Sequence, residues 1–207
     1  MGALAGWRGH VSSATLALAA LAGLAPLFCL RGFYDAANLP QGAWIVAAGW
    51  LWVAGCLFGS RLRLARPPAA LLLALAWSGA SLAWAEWRAD GWPMLLLWLA
   101  CAAVGLGARA LWRAPADAFP VLAAVTASAG LVGAIGLAQH LLGFALFPQG
   151  IAPASTFVNK NVGAGFVLLT WPLGACLLSI GRRPAWRVAL GLALALQLVY
   201  LFVVFSR

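Results

Sequence analysis

Three strongly polar side chains stand together at the mouth of an apolar segment in Ser155-Thr156-Phe157-Val158-Asn159-Lys160-Asn161-Val162-Gly163-Ala164-Gly165-Phe166. Asparagine and lysine are costly near hydrocarbon, so they require water, a partner or a ligand there. Asn159 or Asn161 can cap the helix that follows. The first amides of a helix lack intrahelical acceptors, and the helix start carries a partial positive charge. Lys160 adds a full charge. The combination suits an anion, phosphate best of all. The plainer role of the same residues is structural, with the asparagines as caps and Lys160 marking the membrane interface.

Other polar residues offer less. Glu86 and Asp90 are spaced as an acid/base pair could be, but they share a short tryptophan-rich loop with Arg88, which reads as a solvated turn. His140, beside Gln139, falls near the end of an apolar run, where a single histidine is more commonly an interface residue than a catalyst. Cys29, Cys56, Cys101 and Cys176 each lie in an apolar run without metal-type spacing and read as small apolar residues, not disulfide partners. The sequence contains no P-loop, dinucleotide fingerprint, nucleophile elbow or metal-binding pattern. No metal or cofactor is expected.

These residues are set in a chain of 207 residues that is 65% hydrophobic and 8% charged, with a mean hydropathy of +0.97. That composition belongs to an all-α, polytopic integral membrane protein. The net charge of +9 does not indicate nucleic-acid binding, because the basic residues are spread thinly between apolar runs. After a cytoplasmic tail at 1–10, hydropathy predicts a transmembrane helical domain over 11–207. It has about seven spans, near 11–30, 42–59, 68–85, 92–110, 119–141, 162–180 and 188–205. The first is read as an uncleaved helix in preference to a signal peptide. The connection from Leu142 to Asn161 is the longest, and its apolar residues Phe144, Leu146, Phe147 and Ile151 predict that it lies on or dips into the bilayer.

Charge bias orients the spans. Arg8, Arg61, Arg63, Arg66, Arg109, Arg113, Arg182, Arg183 and Arg187 fall on one side, and Arg31, Arg88, Lys160 and Arg207 on the other. The first, richer set is predicted to be cytoplasmic, which puts the N-terminus inside. Lys160 and Arg207 then face outward.

The stretch from Ser155 to Phe166, with Leu168-Leu169 and Trp171-Pro172-Leu173 behind it, resembles the O-antigen ligase and O-antigen polymerase superfamily of bacterial membrane proteins. Members often carry a Thr-Phe-x-Asn-x-Asn stretch, then a small-residue turn and a Leu/Pro-rich helix. Val203-Val204-Phe205-Ser206-Arg207 looks like the start of their next signature. The resemblance covers roughly residues 150–207; upstream, only hydropathy agrees. It implies glycosyl transfer at the periplasmic face of the bacterial inner membrane. The implied donor is an undecaprenyl-pyrophosphate-linked glycan. The implied acceptor is lipid A–core, a growing glycan or a protein. It implies a metal-independent reaction in which arginine holds the pyrophosphate, and the matching residue is Arg207. Lys160, Asn159 and Asn161 complete the expected substrate-binding set. The family's catalytic histidine lies on a later periplasmic loop, and neither His10 nor His140 matches it. The chain is therefore expected to be the N-terminal half of a longer protein and inactive alone. Two other classes stay open: a membrane transport or solute-binding protein for a small anion, and a non-catalytic membrane scaffold.

Overall fold

The computed structural model describes residues 12–29, 38–58, 65–86, 88–112, 115–144, 147, 153–180 and 183–205. The tail at 1–10 and Arg31, Arg61, Arg63, Arg113, Arg182 and Arg207 lie outside the described residues. Every regular element among those described is helical. They are α1 (Ser13–Leu24, continued by a 3-10 turn at Ala25–Leu27), α2 (Asn38–Phe58), α3 (Ala69–Ser81), α4 (Arg88–Leu111, followed by a 3-10 turn at Pro115–Ala118), α5 (Phe119–Leu142), α6 (Lys160–Ile180) and α7 (Pro184–Phe205).

Local chemistry sets the ends of these helices. The Ser12 hydroxyl accepts the Thr15 amide at 3.1 Å and caps α1. Pro68, extended at φ −67° and ψ 146°, precedes α3. Pro120 lies in the first turn of α5, where its missing N–H costs nothing. Gly143 closes α5 in the left-handed conformation at φ 64°.

Among the described residues, the segments long and apolar enough to cross a membrane are Gly91–Leu111, Phe119–Leu142, Lys160–Ile180 and Pro184–Phe205. The expected spans at 11–30 and 68–85 are shorter than sequence predicts. Pro26 tightens the end of α1 into a 3-10 turn, so the continuous apolar helix stops at Leu27. The helix α3 has 13 residues, about 20 Å at an α-helical rise, against a hydrocarbon core of roughly 30 Å.

The chain divides into two compact units, Met1–Gln41 with Ala118–Arg207, and Gly42–Asp117. In the first, α5 packs against α1, α6 and α7. Its buried positions are mostly small: Ala123, Thr126, Ser128, Ala129, Gly130, Gly133 and Gly136. Small residues let helix backbones approach, which is the main source of helix cohesion where lipid is as apolar as the side chains. At Gly133, an added Cβ would lie 3.1 Å from the Leu196 carbonyl oxygen of α7. Two threonine hydroxyls inside the helices bond to their own backbone. Thr126 Oγ1 donates to the Leu122 carbonyl at 2.8 Å and Thr170 Oγ1 to that of Phe166 at 3.0 Å, so neither hydroxyl proton is left unsatisfied in an apolar surround. Gln197, fully buried, ties α7 to α5 through Nε2 to the Thr126 carbonyl at 3.1 Å.

In the second unit α3 lies beside α4. No residue of α3 is buried, and Leu72, Leu73 and Trp77 are exposed, as are Leu96 and Trp98 of α4. Ser78 and Ser81 return their hydroxyl protons to the carbonyls of Ala74 and Ser78, each at 2.8 Å. An apolar perimeter with internally satisfied hydroxyls suits contact with lipid.

Candidate functional site

The motif singled out by sequence is folded as a buried loop, residues 153–157, leading into α6. A loop away from water must have its backbone groups satisfied by protein. Here helix side chains do this. Gln139 of α5 holds both backbone groups of Ser155: its Nε2 donates to the Ser155 carbonyl at 2.9 Å and its Oε1 accepts the Ser155 amide at 2.6 Å. Tyr200 of α7 donates its hydroxyl to the Pro153 carbonyl at 3.1 Å. The loop's own hydroxyls reach outward. Ser155 Oγ donates to the Val132 carbonyl of α5 and Thr156 Oγ1 to the Pro26 carbonyl, both at 2.6 Å. Gln41 Nε2 donates to the same Pro26 oxygen at 3.3 Å.

The backbone makes tight reversals in succession. Phe157 N donates to the Ala154 carbonyl at 3.1 Å across a β-turn whose first central residue, Ser155, has φ 56°. That is the type II′ pattern, normally supplied by glycine. Asn159 N then donates to the Phe157 carbonyl at 2.6 Å, closing a γ-turn around Val158 at φ 62°. A γ-turn of that sign is rare and strained, and more so for a β-branched residue. Strain of this kind persists only where surroundings over-determine it. The Gln139 clamp supplies that constraint on one side. On the other, Phe157 enters the apolar core formed with Val132, Leu137, Ala164, Val167, Tyr200, Leu201 and Val204.

Tyr200 fits because two glycines make room for it. A Cβ on Gly136 would overlap its ring, and a Cβ on Gly163 would lie 2.8 Å from its hydroxyl. Sequence reasoning misses Gln139 as the clamp. The available signal was a glutamine within an apolar helix, which demands a polar partner.

Of the two asparagines, Asn159 is the cap. Its Oδ1 accepts the Asn161 amide at 2.9 Å, and its carbonyl accepts the amides of Val162 and Gly163, each at 3.2 Å. The first-turn amides 161–163 are thereby engaged. An anion at this end would rest on the Lys160 and Asn161 side chains rather than on a ring of free amides. Lys160 is half-buried and Asn161 exposed. The Lys160 ammonium lies 3.5 Å from the Val204 carbonyl oxygen in the last turn of α7. That is a weak, long contact. It has an electrostatic reason: a cation is disfavoured at the start of its own helix and favoured at the end of the next. The contact brings Lys160 to the end of α7. Arg207, expected there too, lies outside the described residues.

His140 is half-buried in the last turn of α5, beside the clamping Gln139. Glu86 is exposed in the turn before α4, and the Asp90 side chain lies outside the described residues. Among the described residues no group of His, Cys, Asp and Glu side chains could hold a metal ion. No protein-family profile, characterised protein or solved structure matches the chain.

Proposed function

We propose that this chain is part of a membrane glycan ligase or polymerase that engages an undecaprenyl-pyrophosphate-linked glycan on the periplasmic face of the bacterial inner membrane. In this reading about seven spans cross the bilayer with the N-terminus inside. Lys160 and Arg207 hold the pyrophosphate, Asn161 lines its approach, and Asn159 fixes the start of α6. The observation that carries the reading is the pair of strained turns at Ser155 and Val158, held by Gln139 and ending at Lys160. Strained backbone at the mouth of a helix is commonly kept where a side chain must be presented in one geometry. The resemblance of the same stretch to the O-antigen ligase superfamily supplies the substrate class.

The test is titration of a lipid-linked pyrophosphate donor against the reconstituted chain and its Lys160→Gln and Arg207→Lys variants. Loss of a partly desolvated, charge-assisted contact lowers affinity roughly ten- to a hundredfold. Arg207→Lys keeps the charge but loses the bidentate grip, and it too weakens binding. A second reading is favoured by the contact between Lys160 and the Val204 carbonyl. There Lys160 is a cap on α7, as in a membrane scaffold, and Lys160→Gln lowers stability while donor affinity stays at the wild-type value. That result overturns the ligase reading for this site.

A further inference from the structure

We propose that the end of the second unit carrying Arg66 and Arg109 is a binding site for the phosphate headgroup of an anionic phospholipid in the surrounding bilayer. The inference does not depend on the ligase reading.

The two arginines are far apart in sequence and are brought together by the backbone. Ala65 N donates to the Leu106 carbonyl at 3.1 Å. That bond lays the segment before α3 over the last two turns of α4. Arg66 follows Ala65 directly. Arg109 is one turn beyond Leu106 on the same face of α4, since residues three apart on a helix are neighbours. Arg66 is held on its other side by Pro67 and Pro68, whose fixed φ stiffens the lead into α3. Both arginines are exposed, and among the described residues neither has a hydrogen-bond or ion-pair partner. Two exposed guanidinium groups on a braced backbone match a phosphate diester, which each can grip through parallel N–H bonds.

The bilayer is the source of that phosphate because of what continues from the site. Exposed Trp112 follows Arg109 at the end of α4. Tryptophan at the end of an apolar helix marks headgroup depth. Below it, α3 and α4 present Leu72, Leu73, Trp77, Leu96 and Trp98 outward, a surface that suits acyl chains. One lipid can therefore place its phosphate on the arginines and its chains along these helices. Free phosphate would use the first feature but not the second.

The chain, reconstituted in nanodiscs of phosphatidylcholine containing phosphatidylglycerol, is released into the gas phase, and retained lipid is counted by native mass spectrometry. Wild type is expected to retain phosphatidylglycerol in preference to phosphatidylcholine. Arg66→Gln and Arg109→Gln should each lower that preference about fivefold, the scale expected for one basic residue at an anionic surface. Arg183→Gln/Arg187→Gln, which removes the same charge from the first unit, should leave the preference unchanged. Arg66→Lys/Arg109→Lys should keep part of it and reports on the site even if a glutamine variant is poorly folded. Undiminished preference in Arg66→Gln/Arg109→Gln overturns the proposal. So does an equal loss in Arg183→Gln/Arg187→Gln, because net charge alone would then explain the binding. Displacement of the lipid by inorganic phosphate alone would assign the site to a free anion and also overturn it.

Discussion

The helices α5 and α3 are both apolar, yet they treat their residues in opposite ways. The buried positions of α5 are dominated by glycine, alanine, serine and threonine, with Gln139 and its bonds to Ser155 at the C-terminal end. The helix α3 buries nothing and turns Leu72, Leu73 and Trp77 outward. In a soluble domain the large apolar residues would be inside. In an apolar medium their burial gains little, and packing density with hydrogen bonding decides what is enclosed. Size and hydrophobicity are therefore poor guides to which residues hold this protein together, whereas small residues and isolated polar ones are good guides.

The largest effect that tests this contrast is at Tyr200. Tyr200→Ala empties the slot between Gly136 and Gly163 and frees the Pro153 carbonyl, and should cost about 3–5 kcal/mol. Trp77→Ala removes a larger side chain that is 70% exposed and should change stability by less than about 0.5 kcal/mol. Unfolding of the reconstituted variants by denaturing detergent ranks them. Similar losses at the two sites would refute the contrast.

Gln139→Leu comes next. It keeps the volume but leaves the Ser155 amide and carbonyl unpaired inside the protein, at about 1–3 kcal/mol for each group. Ser78→Ala, by comparison, removes a hydroxyl that bonds only within its own helix and should be near neutral. Amide hydrogen exchange sharpens the test: the Ser155 amide should exchange faster in Gln139→Leu while amides of α3 are unaffected.

The smallest effect separates the two asparagines. Asn159→Ala removes the cap of α6 and should cost about 1 kcal/mol, whereas Asn161→Ala, whose exposed side chain caps nothing among the described residues, should cost little. Exchange of the Asn161 amide reports the cap directly. Equal protection in both variants would show that the cap is not made by Asn159.

Composition and hydropathy alone determined that the chain is helical, with helices apolar enough to cross a membrane, because so apolar a chain can satisfy its backbone in lipid only within itself. They also located α2, α4, α5, α6 and α7 to within a few residues and marked 155–166 as the exceptional stretch. Hydropathy overestimated α1 and α3, since it averages over Pro26 and over the residues beyond Ser81 while helix geometry does not. Sequence could say that Asn159 or Asn161 caps α6. The choice fell to Asn159 because the γ-turn at Val158 aims that residue, and not its neighbour, at the Asn161 amide. Pairing of Gln139 with Ser155, of Thr156 with Pro26 and of Tyr200 with Pro153 was decided by tertiary structure alone. Those contacts join residues 16, 130 and 47 positions apart, and no local periodicity encodes which distant carbonyl a buried donor meets. Only the packed helices bring them within hydrogen-bonding distance.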